Sequence, residues 1–236
     1  MESTLKRLVK ISLLYAIFIT IPVSATNNKV SDITDAYLTR NLVALNTIKA
    51  QLTSASSYEM AYMNYRLGLL LMFNDKKDDA ELLLDEAESI LTNQSIESSS
   101  LNYSLLASVY ALKAGLNAFS GAINGKKSTD AIRKAQNIDS NNPQIWLVKG
   151  LNAHHTPKIF GGSNKKAMQF FSKAISLYSH DIDRSIYWGL EETLVWRGIL
   201  HKKNKQTEEA INDLKQALRY NENFSWAKEL LVKFSA

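Results

Sequence analysis

Four histidines, no cysteine and 23 carboxylates are the groups in this 236-residue chain from which chemistry could be built. His154 and His155 adjoin one another, and neighbours on a helix point apart, so the two cannot easily share a metal ion. A helical metal site needs ligands at i and i+4, as in H-E-x-x-H, and neither His180 nor His201 has such a partner. The sequence has no G-x-S-x-G elbow, no cysteine nucleophile and no acid pair set apart by its context. Glu191-Glu192 lies near a helix start, where carboxylates favour the macrodipole. Gly161-Gly162-Ser163, with Lys165 and Lys166 beyond, could cradle a phosphate at a helix N-terminus. G-x-x-x-x-G-K-[ST] is absent, however, and the same residues read as a glycine turn with Ser163 as N-cap. Asn93, Asn102 and Asn223 open glycosylation sequons that matter only in a eukaryotic host. The expectation is no catalytic residue, no metal and no cofactor.

The elements that carry these residues read as helices. Three prolines and nine glycines are too few for the turn-rich character of an all-β chain. From Ala61 to Leu91 two amphipathic stretches flank a polar break, Asn74-Asp75-Lys76-Lys77-Asp78. Leu67, Gly68 and Leu71 share a face of the first stretch, and Ala80, Leu84 and Ala87 a face of the second. Gly68 and Ala80 are small enough to let the two backbones approach closely. A second pair runs from Leu101 to Ile138, with its turn expected at Asn124-Gly125-Lys126-Lys127, Gly115 as its close-contact glycine and Ser128 standing where an alanine would. A third begins at Pro143 and carries Trp146, Gly150 and Ala153, then Ala167, Phe171 and Ala174. A fourth carries Leu194 and Gly198, then Ala210, Leu214 and Ala217.

Internal spacing ties these units together. The small residues of the second helix lie seven apart in three of them: Ala80 and Ala87, Ala167 and Ala174, Ala210 and Ala217. From glycine to first alanine the distance is twelve residues in the first and last units and seventeen in the third, so five extra residues sit in that turn. Ser31 to Leu52 is expected to form one long capping helix, with Ser31 or Asp32 as N-cap. Phe224, Ala227, Leu230, Leu231 and Phe234 have the spacing of a closing helix, with Trp226 and Phe234 covering the last exposed face.

These residues resemble the tetratricopeptide repeat (TPR), whose W-x₂-L-G-x₂-Y…A-x₃-F…P pattern marks a helix–turn–helix unit. The resemblance implies an all-α, TPR-like right-handed α-solenoid of about four helix pairs, with capping helices at both ends. The segment HHTPKIFGGSNKKAM is similar to the P-x-x-x-G-G insertion that bacterial TPR proteins carry inside one repeat. Family members line their concave face with the first helix of each pair. By that resemblance Tyr62, Tyr65, Arg66, Leu69, Met72, Leu112, Leu116, Leu147, Leu151 and His154 are the partner-binding residues. Members that grip acidic C-terminal tails place lysine and asparagine at these points. Here they are largely aromatic or aliphatic, so an apolar or aromatic segment is the expected occupant.

The chain opens with Lys6, Arg7 and Lys10, an uncharged apolar run from Ile11 to Ile21, and Val23-Ser24-Ala25. These are the n-, h- and c-regions of a secretory signal peptide. The run is shorter than the roughly 20 residues a spanning helix needs, and Pro22 interrupts it. Residues 1–25 are therefore expected to be cleaved and 26–236 to form the exported helical-repeat domain, periplasmic or secreted, with no stable membrane insertion; a retained N-terminal membrane anchor is the alternative. Without cysteine neither a lipid anchor nor a disulfide framework is available, so the domain must stand on its core. Removing that segment lowers the formal charge from +5 to +3, a bias too mild and too scattered to imply nucleic acid.

The function expected is an exported scaffold or adaptor that holds a protein or peptide partner in its concave groove without catalysis. An assembly or tethering subunit of an envelope complex is one alternative. A helical-repeat hydrolase or carbohydrate-active protein is another, and it would need carboxylates or histidines converging on one cavity.

Overall fold

The computed structural model describes residues 29–52, 57–93, 98–178 and 186–235, and among these it contains eleven α-helices, one 3-10 turn and no strand. The helices run α1 Lys29–Leu38, α2 Leu42–Gln51, α3 Ser57–Phe73, α4 Lys77–Thr92, α5 Ser100–Leu116, α6 Ala118–Ile138, α7 Pro143–His155, α8 Asn164–Tyr178, α9 Leu190–Lys203, α10 Thr207–Tyr220 and α11 Ser225–Ser235. They pack as consecutive hairpins, each against the next, and α11 closes the array on α10. No helix among the described residues is long and apolar enough to cross a membrane. The expected signal segment, residues 1–25, lies outside them, as does His180.

Three hairpins turn in the same way. Arg40, Asp75 and Lys205 adopt left-handed backbone conformations (φ 53°, 57° and 64°) just past the ends of α1, α3 and α9. In each, the next amide reaches back five residues to a helix carbonyl: Asn41 to Ala36 (2.8 Å), Lys76 to Leu71 (3.0 Å) and Gln206 to His201 (2.9 Å). This is the Schellman termination, and it satisfies carbonyls the helix end would leave open. Arg40 thereby splits the expected N-terminal helix in two. Asn41 caps the second piece by accepting a hydrogen bond from the Ala44 amide at 2.9 Å. Ser31 and Asp32 lie inside α1 rather than capping it. The cap is therefore a fifth hairpin.

The second hairpin departs furthest from the expectation. Asn124 to Lys127 are helical, inside α6, and the turn is the single residue Asn117, extended at φ −134° and ψ 118°. Its side-chain oxygen accepts from the Phe119 amide at 2.9 Å, so one asparagine both ends α5 and starts α6. Poor helix formers at 124–125 do not break α6 because it packs along α5, and tertiary packing overrides propensity. Gly115 is not the close contact: a Cβ there would meet only Met72, at 3.9 Å. Closeness comes from Ser128, fully buried, whose hydroxyl donates to the Ala107 carbonyl (2.8 Å) and accepts from Asn152 (2.9 Å). Ser128 and Ala135, seven apart and both fully buried, extend the small-residue register to all four of the expected units.

Elsewhere the expected core holds. Ala80, Leu84 and Ala87, then Ala167, Phe171 and Ala174, then Ala210, Leu214 and Ala217, have no accessible surface. A Cβ on Gly198 would lie 3.2 Å from the Ala210 carbonyl oxygen, and one on Gly150 would overlap the Phe171 ring. The array curves until its ends touch. Arg40 forms two hydrogen bonds to Glu229 of α11 (2.6 and 3.0 Å), and Asn221 donates to Asp35 of α1 (3.0 Å).

Candidate functional site

The inner face of the curve has a closed half and an open half. In the closed half, α3 presents Tyr58, Tyr62, Tyr65 and Arg66, which share a stripe at helical spacing. The guanidinium of Arg66 is fully buried, and it meets Glu192 on the first turn of α9 in a two-pronged pair, both bonds 2.7 Å long. Its Nε donates to the Tyr62 hydroxyl at 2.8 Å. That hydroxyl lies 2.8 Å from Thr34 Oγ1, which itself donates to the Val30 carbonyl at 2.7 Å. The hydrogen bonds thus run one way, from Arg66 through Tyr62 and Thr34 into α1, an arrangement in which each bond polarises the next.

Aromatic rings wall this pair in. The guanidinium carbon lies 4.3 Å from the centre of Tyr37, 4.9 Å from Trp188, 5.0 Å from Tyr62 and 5.3 Å from Tyr65. Gly189, left-handed at φ 103°, sets Trp188 into the cluster just before α9. The indole of Trp188 donates to Tyr58 at 3.0 Å, and its carbonyl accepts from the Tyr178 hydroxyl of α8. Burial pushes the Tyr58 and Tyr65 hydroxyls up to about 12 and that of Tyr62 higher still, so all three stay neutral. For Arg66, burial works against the charge, but Glu192 more than offsets it and holds the guanidinium well above its ordinary value.

Three of the expected partner-binding residues, Tyr62, Tyr65 and Arg66, are therefore core. They join repeats that are distant in sequence and leave no groove at this point. Leu147 is buried as well. Leu69, Met72, Leu112, Leu116, Leu151 and His154 are half-buried. Glu192, expected only as a helix-dipole partner, is the carboxylate that neutralises Arg66 in the core. The available signal was chemical: an arginine set among tyrosines on an apolar stripe needs a buried carboxylate.

In the open half, rings from the alternate helices α7, α9 and α11 form a row. His154 and His155 end α7, Trp196 lies one turn beyond Glu192 on α9, and Trp226 is on α11. Trp196 is 5.4 Å from His154, 5.1 Å from His155 and 5.1 Å from Trp226, centre to centre, and Phe224 backs Trp226 at 6.3 Å. Trp196 and Trp226 keep part of their surface exposed. His154 Nδ1 is 2.8 Å from Asn164, which fixes its ring. Neighbouring rings desolvate His155, and with the charge of His154 they pull its pKa below the usual imidazole value. Among the described residues no group of three His, Asp or Glu side chains could hold a metal ion.

The 156–163 loop is no phosphate cradle. The amides from Phe160 to Ser163 are already used: Phe160 to the Pro157 carbonyl (2.9 Å), Gly161 to Lys158 (3.0 Å), Gly162 to Pro157 (3.2 Å) and Ser163 to Ala153 (2.7 Å). Ser163 caps α8 by accepting from the Lys166 amide at 3.3 Å, as the turn reading expected.

Comparison with known proteins bears on the fold. Residues 191–224, which span α9, α10 and the turn to Phe224, match the tetratricopeptide repeat model. No curated protein matches the sequence. The crystal structure of the APC/C hetero-tetramer Cut9–Hcn1 is similar over 91% of this chain at 14% identity, with a TM-score of 0.50. The chain spans 43% of the length of that protein. YrrB, described as a TPR protein with an unusual peptide-binding site, is 14% identical over 82% of each chain, with a TM-score of 0.38. Residues 191–224 thus match one tetratricopeptide repeat, the small-residue contact recurs in hairpins before it, and the chain has the fold of a TPR-like α-solenoid, with five hairpins and a closing helix among the described residues.

Proposed function

We propose that this protein is an exported, non-catalytic scaffold that holds an apolar or aromatic segment of a protein partner on the open half of its inner face. The observation that carries the reading is the row His154, His155, Trp196 and Trp226. Partly exposed rings on rigid helices offer contact area at low entropic cost. Leu151, half-buried one turn before His154, continues the row. The polar groups nearby are already engaged, Glu192 by Arg66 and His154 by Asn164, which supports recognition rather than catalysis. The signal-like segment supports export.

The test is crosslinking capture from the envelope of the native host, with mass measurement of the bait. Trp196→Ala should abolish capture while the helical melting curve survives. Leu82→Ser, at an exposed site on α4, should leave capture intact. Capture that survives Trp196→Ala and is lost with Leu82→Ser places the partner on the outer face. A bait that retains residues 1–25 refutes cleavage and leaves the N-terminal anchor as the reading of that segment.

A further inference from the structure

The edge of the solenoid on which α3 turns into α4, α5 into α6 and α7 into α8 carries bare apolar residues. Phe73 is 69% exposed, Phe119 97%, Ile159 85% and Phe160 75%. On the opposite edge the turns Asp139-Ser140-Asn141 and Asn221-Glu222-Asn223 are polar, and the apolar residues beside them, Ile138, Ile186 and Tyr220, are less exposed. We propose that the 156–163 loop is a wedge that docks this turn edge on an anionic lipid surface. The inference goes beyond the scaffold reading and does not depend on it.

Three observations converge. First, the loop is built to project. Its amides close on its own carbonyls and on Ala153, and a Cβ at Gly162 would overlap the Thr156 carbonyl, so the backbone is compact and fixed while Ile159 and Phe160 face outward. Second, the charge around it has one sign. Between Asp139 and Asp181 the sequence has no carboxylate but holds Lys149, Lys158, Lys165, Lys166 and Lys173. Among the described residues Lys158, Lys165 and Lys166 are exposed and form no ion pair, whereas Lys113, Lys126 and Lys127 on the neighbouring hairpin are all matched by carboxylates. Third, the placement runs against local stability. The equivalent helices α4 and α10 begin with Asp78-Asp79 and Glu208-Glu209, as the helix dipole favours. Helix α8 begins with Lys165-Lys166 instead, two cations at the positive end. Local rules are broken in this way where function requires it.

A lipid surface fits this chemistry better than an acidic protein does. The apolar tip protrudes rather than forming a cleft, so it needs a soft medium to enter. The ammonium groups are point charges on flexible stems with no fixed partner, which suits mobile headgroups. Each lysine near an anionic bilayer adds roughly fivefold to partitioning.

The absence of cysteine makes the test site-specific. Phe160→Cys in the full chain, labelled with an environment-sensitive fluorophore, is mixed with phosphatidylcholine vesicles with and without phosphatidylglycerol. Asn141→Cys, on the opposite edge, is the control. A blue shift at 160 and not at 141, only with phosphatidylglycerol and reversed by salt, is the expected result. Lys158→Gln, Lys165→Gln and Lys166→Gln together should weaken that response by roughly a hundredfold. Flotation with vesicles but no shift at 160 overturns the proposal and assigns membrane contact elsewhere in the chain. A shift with polyglutamate and none with vesicles overturns it in favour of an acidic partner. Silence with both overturns it too.

Discussion

Removing the carboxylate of Glu192 should be among the most damaging single changes in this protein. In Glu192→Gln the partner loses its charge and one of its two acceptors, and the new amide turns N–H groups toward a guanidinium that can only donate. Arg66 has no exposed surface and Glu192 has 10%, so water cannot compensate. Breaking a buried pair from one side costs about 3–5 kcal/mol. For a chain of this size that lowers the melting midpoint by roughly 6–20 °C. Replacing both partners, Arg66→Met with Glu192→Leu, removes the uncompensated charge, and the aromatic walls can pack on the new side chains. That variant should recover most of the loss. Urea and thermal unfolding of the parent chain, Arg66→Met, Glu192→Leu and the double variant form a double-mutant cycle with a coupling energy of several kcal/mol. A cost below about 1 kcal/mol for Glu192→Gln, the range of exposed pairs, would refute the argument. So would a double variant as unstable as the sum of the single changes.

The glycines separate two kinds of site. Gly150→Ala should cost on the order of 1–3 kcal/mol, because its methyl group would overlap Phe171, whereas Gly115→Ala should stabilise by roughly 0.5–1 kcal/mol in the same unfolding assay. His155 makes stability pH-dependent with a definite sign. Its folded pKa lies below the ordinary imidazole value of about 6.5, so the unfolded chain binds the proton more readily. Its contribution is complete above pH 6.5 and is lost as pH falls through the folded value. Midpoints measured across that window should decline on acidification, and His155→Asn should flatten the decline; an unchanged slope would exclude His155 as its source.

The hairpins were legible in the sequence because their signals are local. A small residue at Gly68 or Gly198 facing an alanine on the next helix, or at Gly150 facing Phe171, needs only the helical repeat to be read. The turn of the second hairpin was not legible, because Asn124-Gly125 has the composition of a break while packing on α5 keeps it helical, and Asn117 does the work of a turn alone. Arg40 hid the first turn in the same way, as a residue with no left-handed preference that the Schellman bonds hold in place. The candidate site was half legible. Aromatic and aliphatic residues on the first helices were found, yet which of them face solvent depends on how tightly the array curves. Curvature is set by all the hairpin contacts together, so no local pattern announces that Arg66 meets Glu192.

That meeting spans 126 positions of chain. A solenoid ordinarily stores its stability in nearest-neighbour terms, so units fold, fray or can be deleted almost independently. Here the first full repeat is bonded to the fourth, and α1 to α11, which raises the contact order of an otherwise local topology and delays the last step of folding until distant units arrive together. The array is therefore a cooperative ring in energetic terms. Adding or deleting a repeat between α3 and α9 would part Arg66 from its carboxylate, whereas the bonds between α1 and α11 are exposed and close the ring only weakly.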